Sequence, residues 1–341
     1  RLLTETLEPK MLMAADQWGT EFILNDPLNG QQTTARQQQS TSLFADGSGL
    51  VVYSGKGSGD NKGVFIRAVD DSGQPVGEVT RVNDRVGGVQ KFASIATLDD
   101  GSAIVAWTGR GEGDGFGVFA RRVSSTGASI SDQFLVNETT WGQQSFPVIA
   151  PLGDGGFAIA WSGYGASDSS GIFVRQFDAN LNPVTGEMRV NPGAFGHQQN
   201  VQIAPLPEGG YAVAWSGKGS DDWNGVYVQR YESNGTKSFG VTRVNPSSSG
   251  FQGSPDIAAL PSGELVVTWT GRGPGDSWGI FARQLGTDNS PVSDAVLINP
   301  NRDGLQYAPT IATSDDGSFL ILWNQFGPHL YGTKVMGRHF S

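Results

Sequence analysis

The chain of 341 residues carries a formal net charge of −10, contains 49 glycines and has no cysteine. The acidic balance argues against nucleic acids and anionic membranes as partners, because phosphate binding requires clustered Lys and Arg. The absence of cysteine excludes disulfides and Cys-ligated metals. Aromatic residues make up 10% of the chain, which argues against disorder, and no apolar run approaches the roughly 20 residues of a membrane-spanning helix.

A repeat with a period of 54 residues organises most of the chain. It is clearest in a series of tryptophans, for which Tyr53 stands in the first copy. The tryptophans are Trp107, Trp161, Trp215, Trp269 and Trp323. A fixed period of this length predicts an array of one small structural unit. Large aromatic residues at the same place in every unit are expected to pack between neighbouring units.

Four short strands are predicted in each copy, and the third copy shows their order. Its apolar runs lie at 146–150, 157–161, 172–177 and 187–191. Tight-turn signals such as Asp154-Gly155 separate the runs, and a Gly-rich stretch at 162–170 follows the second run. Short strands joined in this way are typical of an antiparallel meander.

The repeat predicts an all-β fold, a six-bladed β-propeller of four-stranded blades. Five units are complete, and the sixth ends after its third strand at 334–340. Residues 21–25 resemble the fourth strand at 80–83, so we expect the N-terminal strand to complete the last blade and close the ring. Residues 1–16 would then be a leader segment, and 17–341 the propeller. An open solenoid, which would need polar capping units, is the alternative.

Glutamines recur just before the first strand of each blade, where they are expected to ring the mouth of the central channel. They are Gln90, Gln144, Gln198, Gln252 and Gln306. The first blade offers Arg36 or Gln37 instead. Two interpretations remain open: the amides bond the backbone of adjacent loops, or they form a ring that binds a polar ligand. The ring is the candidate ligand-binding site.

Aspartates recur in loops of the form Gly-x-Gly-x-x-Asp-x-x-Gly between the second and third strands. They are Asp60, Asp114, Asp168, Asp222 and Asp276. Asp beside Gly favours turns that the Asp side chain itself stabilises. Calcium is the alternative, because it takes carboxylate and backbone oxygens as ligands, although each loop offers only one or two carboxylates. No other cofactor is indicated.

The long loops between the second and third strands and between blades are predicted to share one face, where binding groups usually lie. Aromatic residues that vary among the copies are the candidate contacts of this face. They are Phe116, Trp141, Tyr164, Trp223 and Trp278. In the third strand an arginine recurs, for example Arg121 and Arg175, but Gln229 replaces it in the fourth copy. These arginines are expected to form ion pairs or to be solvated.

Catalytic signals are weak. The three histidines, His197, His329 and His339, do not recur with Ser and Asp in the order of a catalytic triad. Five blades carry nearly equivalent polar residues, whereas a catalytic site requires residues that break this equivalence. The sequence therefore predicts that the chain is not an enzyme. A carboxylate pair for glycoside cleavage is the alternative, because many aspartates share one face.

Two stretches of sequence resemble known families. The repeat, with DGGFAIAW at 154–161 and GIFVRQFD at 171–178, resembles tandem propeller-type repeats of large secreted bacterial proteins, including adhesin-like and hemolysin-type calcium-binding polypeptides, over residues 20–341. The segment LEPKMLM at 7–13 resembles the LEPR-XLL segment of exported planctomycete proteins, with Lys10 in place of Arg and Met13 in place of Leu. Both resemblances imply an exported or cell-surface bacterial protein.

The predicted function is that of a non-catalytic extracellular or cell-surface module whose long-loop face binds a protein partner or a glycan. One alternative is a calcium-stabilised structural subunit of a larger surface assembly. The other alternative is a polysaccharide-active enzyme. The repeat predicts the architecture directly, whereas these functions depend on residues outside the strand pattern.

Overall fold

The computed structural model describes residues 31–34, 39–219, 222–327 and 333–341. These residues form 24 strands in six antiparallel sheets, with no helix among them. None of the described residues therefore belongs to a helix long and apolar enough to cross a membrane. The all-β class predicted from the repeat is confirmed. The predicted leader at 1–16 and the predicted strand at 21–25 lie outside the described residues.

The first three sheets follow one another along the chain. Sheet 1 contains β1 (Gln32–Thr33), β2 (Thr41–Leu43), β3 (Gly49–Gly57), β4 (Asp60–Val69) and β5 (Pro75–Arg81). Sheet 2 contains β6 (Lys91–Thr97), β7 (Ser102–Gly109), β8 (Gly117–Ser124) and β9 (Phe134–Leu135). Sheet 3 contains β10 (Gln144–Pro151), β11 (Phe157–Gly165), β12 (Asp168–Phe177) and β13 (Met188–Arg189). Strands pair in chain order, except that β1 and β2 both pair with β3.

The last three sheets repeat this order. Sheet 4 contains β14 (Gln198–Pro205), β15 (Tyr211–Gly217), β16 (Gly225–Tyr231) and β17 (Lys237–Arg243). Sheet 5 contains β18 (Gln252–Ala259), β19 (Leu265–Gly273), β20 (Asp276–Leu285) and β21 (Val296–Leu297). The described strands of sheet 6 are β22 (Leu305–Thr313), β23 (Phe319–Phe326) and β24 (Thr333–Phe340). Six successive meanders of this kind fit a β-propeller.

The hydrophobic core lies between consecutive sheets. Each apolar cluster in the described part draws its residues from two neighbouring sheets, as where Val52 of sheet 1 packs with Trp107 of sheet 2. The five recurrent tryptophans are at most 3% exposed. Burial of one such side chain contributes on the order of 3 kcal/mol. The prediction that these tryptophans pack between units is confirmed.

A cationic side chain crosses each boundary between consecutive described sheets. It donates to a backbone carbonyl at the end of the preceding sheet, here called the boundary carbonyl. The pairs are Arg121 with Val82, Arg175 with Val136, Lys237 with Val190, Arg283 with Val244 and Arg338 with Ile298. Arg175 also forms an ion pair with Glu138 at 2.8 Å. The expectation of ion pairs therefore holds for this arginine, which joins two sheets as well.

The exception at Gln229 has a structural explanation. Its amide bonds backbone carbonyls within sheet 4, including that of Ser238 at 2.9 Å, and it does not donate to Val190. Lys237, on the fourth strand, reaches the boundary carbonyl of Val190 instead, at 3.1 Å. The repeat positions of Lys237 hold proline or serine in sheets 1, 2, 3 and 5. The cation is therefore kept although the strand that supplies it has changed.

The Gly-rich stretches between the second and third strands are shorter as loops than the sequence suggested. In sheets 1, 3 and 5 the hairpin continues through them, and Gly57, for example, pairs with Asp60 across a two-residue turn. In sheet 2 the strands end at Gly109 and resume at Gly117, as predicted. The prediction of uniformly long loops was wrong for three sheets, because glycine allows the strands to pair across a tight turn.

The first strand of each sheet, here called the inner strand, carries a bulge at the same place in sheets 2 to 6. One non-glycine residue in each bulge is left-handed, with φ between 50° and 60°. These residues are Phe92, Phe146, Asn200, Ser254 and Ala308. Non-glycine residues at positive φ are strained, and such strain is frequent at functional sites. Its recurrence directs attention to the inner strands.

Candidate functional site

The recurrent glutamines are buried and bond within the fold. Each of the five is at most 2% exposed. Gln90 accepts a hydrogen bond from the indole Nε1 of Trp107 at 3.1 Å and donates to the carbonyl of Arg110 at 2.9 Å. Gln198 and Gln252 make the same pair of contacts, whereas Gln306 of sheet 6 donates to the carbonyl of Asp303. This geometry matches the first of the two interpretations, and ligand binding by the ring stays a prediction.

The glutamine of sheet 1 is Gln32, so the expectation of Arg36 or Gln37 was wrong. Gln32 pairs with Gly55 as Gln144 pairs with Gly163, and it donates to the carbonyl of Lys56 at 2.7 Å. The sequence separation from Gln32 to Gln90 is 58 rather than 54. A strict period missed this residue because four extra residues lie between it and the next repeat position. Residues 36 and 37 lie outside the described part.

A glycine lies against three of the buried amides, those of Gln90, Gln198 and Gln252, and leaves room for them. A Cβ atom on Gly109 would lie 1.7 Å from Oε1 of Gln90, and one on Gly217 would lie 2.1 Å from Oε1 of Gln198. A side chain at either glycine would therefore require the buried amide to move away from its two partners. The first glycine of the Gly-x-Gly spacing therefore has a packing explanation in these sheets.

The recurrent aspartates also bond within their own repeat. In each, one carboxylate oxygen accepts from the amide of a recurrent asparagine, as where Asn137 donates to Asp114 at 2.8 Å. The asparagine in turn accepts from a third-strand amide, that of Val118 at 2.7 Å. The other four pairs are Asp60 with Asn83, Asp168 with Asn191, Asp222 with Asn245 and Asp276 with Asn299. The described residues contain no group of three His, Cys, Asp or Glu that could hold a metal. Calcium binding stays a prediction.

The loop aromatics divide into exposed and stacked residues. Trp223 is 75% exposed, and Trp141 and Phe116 are also exposed. Tyr164 lies edge-on to Trp141 with ring centroids 5.3 Å apart, and Trp278 stacks on Phe251 at 5.2 Å. The structure therefore does not bring all five into one surface of free rings, and contact with a partner through them stays a prediction.

The histidines do not form a triad in the described part. The Nδ1 atom of His197 lies 3.0 Å from the hydroxyl oxygen of Ser170 at an exposed position. His339 lies in β24, opposite Leu320 of β23, and His329 is outside the described residues. A nucleophilic serine requires a third group that orients the imidazole, and the described contacts of His197 include none.

A large cavity among the described residues lies against the inner strands, and we call it the inner-strand cavity. Its volume is about 1180 Å³. Residues of sheets 1, 4, 5 and 6 line it, so the first and last sheets contribute to one space. Its polar lining residues are Gln39, Ser40, Thr41, Gln202, Ser254, Asp256, Tyr307, Thr310, Thr313, Asn324 and Thr333. Hydroxyl and amide groups converging in one cavity are typical of a site for a polar ligand.

Asp256 is the one carboxylate among the described residues that line this cavity. One of its oxygens accepts from the hydroxyl of Thr310 at 2.8 Å and from the amide of Ile311 at 2.9 Å, both on β22. Burial raises the pKa of Asp256 to about 6, against the opposing effect of these donors. A carboxyl group tuned to this range can donate and accept protons near neutral pH.

Asp256 was not singled out by the sequence because the repeat did not mark it. The same repeat position holds Ser94, Val148, Gln202 and Thr310 in sheets 2, 3, 4 and 6. The signal that could have found it is this departure from equivalence on an inner strand. The recurrent loop residues are nearly equivalent in all blades, whereas the residues at the position of Asp256 differ from blade to blade.

Comparison with known proteins finds no matching family model and no matching curated protein. Solved structures with a similar fold include an α-L-arabinofuranosidase from Fusarium graminearum in complex with an iminosugar inhibitor, at 13% identity and a TM-score of 0.57 over 92% of this chain and 97% of that chain. A Penicillium chrysogenum α-L-arabinanase complexed with arabinobiose matches at 14% identity and 0.51, over 88% and 93%. A protein of unknown function from Dyadobacter fermentans matches at 13% and 0.57, over 91% and 97%.

These likenesses concern the fold, and they correct one expectation. The prediction that the chain is not an enzyme was wrong: its fold is similar to that of an α-L-arabinofuranosidase and an α-L-arabinanase. The prediction relied on near-equivalent blades, and Asp256 breaks that equivalence inside the inner-strand cavity. The repeat architecture is thus no argument against catalysis.

Proposed function

We propose that the chain is polysaccharide-active: it binds a neutral oligosaccharide in the inner-strand cavity and cleaves a glycosidic bond there, with Asp256 as the proton donor. The observation that carries the proposal is a single carboxyl group of raised pKa in a cavity otherwise lined by hydroxyls, amides and apolar groups. The similar solved structures, which hold an iminosugar and arabinobiose, support a sugar as the ligand class.

The cavity suits a sugar in size and in chemistry. Its volume of about 1180 Å³ would accommodate more than one monosaccharide unit. Gln202, Thr310 and Asn324 offer both hydrogen-bond donors and acceptors, which match the hydroxyl groups of a neutral sugar. The lining contains no Lys or Arg among the described residues, so an uncharged ligand fits better than an anion.

The proposed chemistry is hydrolysis. Protonated Asp256 gives its proton to the glycosidic oxygen as the bond from that oxygen to the anomeric carbon breaks. Water adds to the anomeric carbon and releases a proton, so that one glycoside and one water yield two sugars. Most glycosidases use two carboxylates. The described cavity residues supply one, and the proposal therefore gives Asp256 the acid's role and names no residue as base or nucleophile.

The test is hydrolysis of arabinobiose and of a panel of other neutral oligosaccharides, followed by chromatography of the products. We expect Asp256→Asn to lower the rate at least about 100-fold while ligand binding is kept. Asp315→Asn, the same change at an exposed carboxylate, serves as the control.

Hydrolysis by the parent chain should decline as the pH rises through about 6, as Asp256 loses its proton. Binding without cleavage of any substrate, or full activity of the Asp256→Asn variant, would contradict the proposal.

We also propose that the six sheets form one closed, six-bladed ring that residues 21–25 complete. Two observations support it: residues of the first and last sheets line one cavity, and Asn25 precedes Gln32 by the same seven residues that separate Asn83 from Gln90. With the LEPR-XLL-like segment at 7–13, we further propose an exported bacterial protein. Extracellular localisation agrees with action on a polysaccharide.

A further inference from the structure

A second cavity lies on sheet 4, and we call it the fourth-sheet pocket. Its volume is about 570 Å³, and it shares no lining residue with the inner-strand cavity. Its described lining includes Phe195, Trp215, Lys218, Tyr227 and Arg243. Its place at the loop that precedes sheet 4 and at the loop between β15 and β16 puts it outside the site proposed for hydrolysis.

Departures from the repeat converge at this pocket. Tyr227 stands where sheets 1, 2, 3 and 5 have phenylalanine, at Phe65, Phe119, Phe173 and Phe281. Trp223, beside the pocket, stands where sheets 1, 2, 3 and 5 have Asn, Gly, Ser and Ser, and Phe195 stands where the copies before sheets 2, 3, 5 and 6 have Gly, Trp, Ser and Asp. Packing requirements are common to all copies, so residues that differ together at one sheet indicate a requirement of that sheet alone.

Two large aromatic side chains are held in solvent around the pocket. Phe195 is 80% exposed and Trp223 is 75% exposed. The Nζ atom of Lys218 lies 3.7 Å from the centroid of the Trp223 ring, which holds the ammonium group beside an aromatic face. One exposed aromatic residue needs no explanation, but two that flank a concave site indicate a contact surface.

The pocket is cationic although the chain is acidic. Lys218 and Arg243 line it, and no carboxylate is among the described residues that line it. Arg243 lies 4.0 Å from the carboxylate of Asp222, whose side chain is buried and bonded to Asn245. Two cations in one pocket, one of them over the Trp223 ring, form an arrangement that suits an anionic group on a ring with an apolar face.

We propose that the fourth-sheet pocket binds an anionic sugar unit, one that carries a carboxylate or a sulfate. The C–H face of the sugar packs on the ring of Phe195, and the anionic group contacts Lys218 and Arg243. This ligand differs in charge from the neutral oligosaccharide proposed for the inner-strand cavity. The pocket is therefore a second site with its own selectivity.

The experiment compares galacturonic acid, galactose 6-sulfate and galactose, which differ at C6 only, by saturation-transfer NMR and by tryptophan fluorescence of the full chain. We expect one or both acidic sugars to bind at least about tenfold more tightly than galactose, with affinity falling as salt is added. The two acidic probes distinguish a carboxylate from a sulfate ligand. Equal binding of galactose, or no binding of either acidic sugar, would overturn the proposal.

Variants locate the site. Lys218→Met keeps the apolar stem and removes the charge, and we expect it to weaken binding of the acidic sugar roughly tenfold. Phe195→Ala should weaken binding by a similar factor through loss of stacking. Arg272→Met, at the equivalent position of sheet 5, is the matched control and should change affinity less than about twofold. Equal effects of the Lys218 and Arg272 changes would refute the assignment. Because the readout is binding, failure of the proposed hydrolysis leaves this test intact.

Discussion

Asp256 combines a structural and a chemical role in one side chain. It joins β18 to β22 by accepting from Thr310 and Ile311, and it is the single described carboxylate of the inner-strand cavity. Burial penalises its charged form, whereas the two donors favour it. The net result is a raised pKa, so the folded protein holds this proton more tightly than the unfolded chain does.

This linkage gives a prediction for stability. With a folded pKa of about 6 and an ordinary value of 3.8, the contribution of Asp256 is fully present below pH 3.8 and is lost as the pH rises through about 6. We expect Asp256→Asn to gain in free energy of unfolding relative to the parent chain between pH 4 and pH 8, by about 1–3 kcal/mol. Urea unfolding at both pH values measures it, and Asp315→Asn should show no such gain.

The glutamine ring shows where residue-level prediction stops. The sequence located five of its members and left two interpretations open. Only the contacts in the structure distinguish the two interpretations: Gln90, for example, bonds both an indole and a loop carbonyl in the buried core. The period did not identify Gln32, because four extra residues separate it from the next repeat position and a fixed spacing of 54 does not allow for an insertion. An amide that needs a partner looks alike in sequence whether that partner is a ligand or the backbone.

At the level of the strands, the sequence predicted the order of the strands in each unit, but it did not predict where each strand begins and ends. Alternating apolar runs and Asp-Gly turns located the second and third strands of every unit. The fourth strands β9, β13 and β21 of sheets 2, 3 and 5 pair with the third strand over only two residues each. The inner-strand bulges were missed, since left-handed Phe92 and Phe146 carry no turn signal.

A substitution at Lys237 tests how much the cation at a boundary carbonyl contributes to stability. We expect Lys237→Met to destabilise the chain by about 1 kcal/mol, because the carbonyl of Val190 loses its cationic donor at the boundary between sheets 3 and 4. Lys62→Met, at an exposed lysine near the start of β4, is the control and should cost a few tenths of a kcal/mol at most. Denaturant unfolding at low and high salt gives the comparison. Equal losses for the two variants would mean that the boundary contact contributes nothing measurable.

For the whole molecule, the period predicted an array of like units and the structure shows six sheets of one topology in its described part. The function was harder to predict, because recurrence draws attention to shared residues, and the described contacts of the shared glutamines and aspartates lie within the fold. Asp256 and Tyr227 lie where the repeat is broken. In a repeat protein, the residues that differ from their counterparts carry the information about ligands.

Ring closure is tested at this scale. If residues 21–25 complete the sixth blade, deletion of residues 17–26 should leave an open sheet edge and lower the free energy of unfolding by several kcal/mol, on the order of half the stability of a typical domain. Deletion of residues 1–10, within the leader, is the control and should have little effect. Thermal unfolding followed by far-ultraviolet circular dichroism measures both. An unchanged midpoint after the longer deletion would refute closure by this strand.

The exchange of donors at the Val190 carbonyl bears on how the copies diverged. A chain that first acquired Lys237 would have held two cations at this boundary, and the arginine of the third strand could then change to Gln229 without leaving the carbonyl unpaired. In the opposite order, the Val190 carbonyl of the intermediate would have lost its cationic donor before a replacement arose. Divergence of such repeats is therefore expected to pass through redundant ancestors, with the gain of a new donor preceding the loss of the old one.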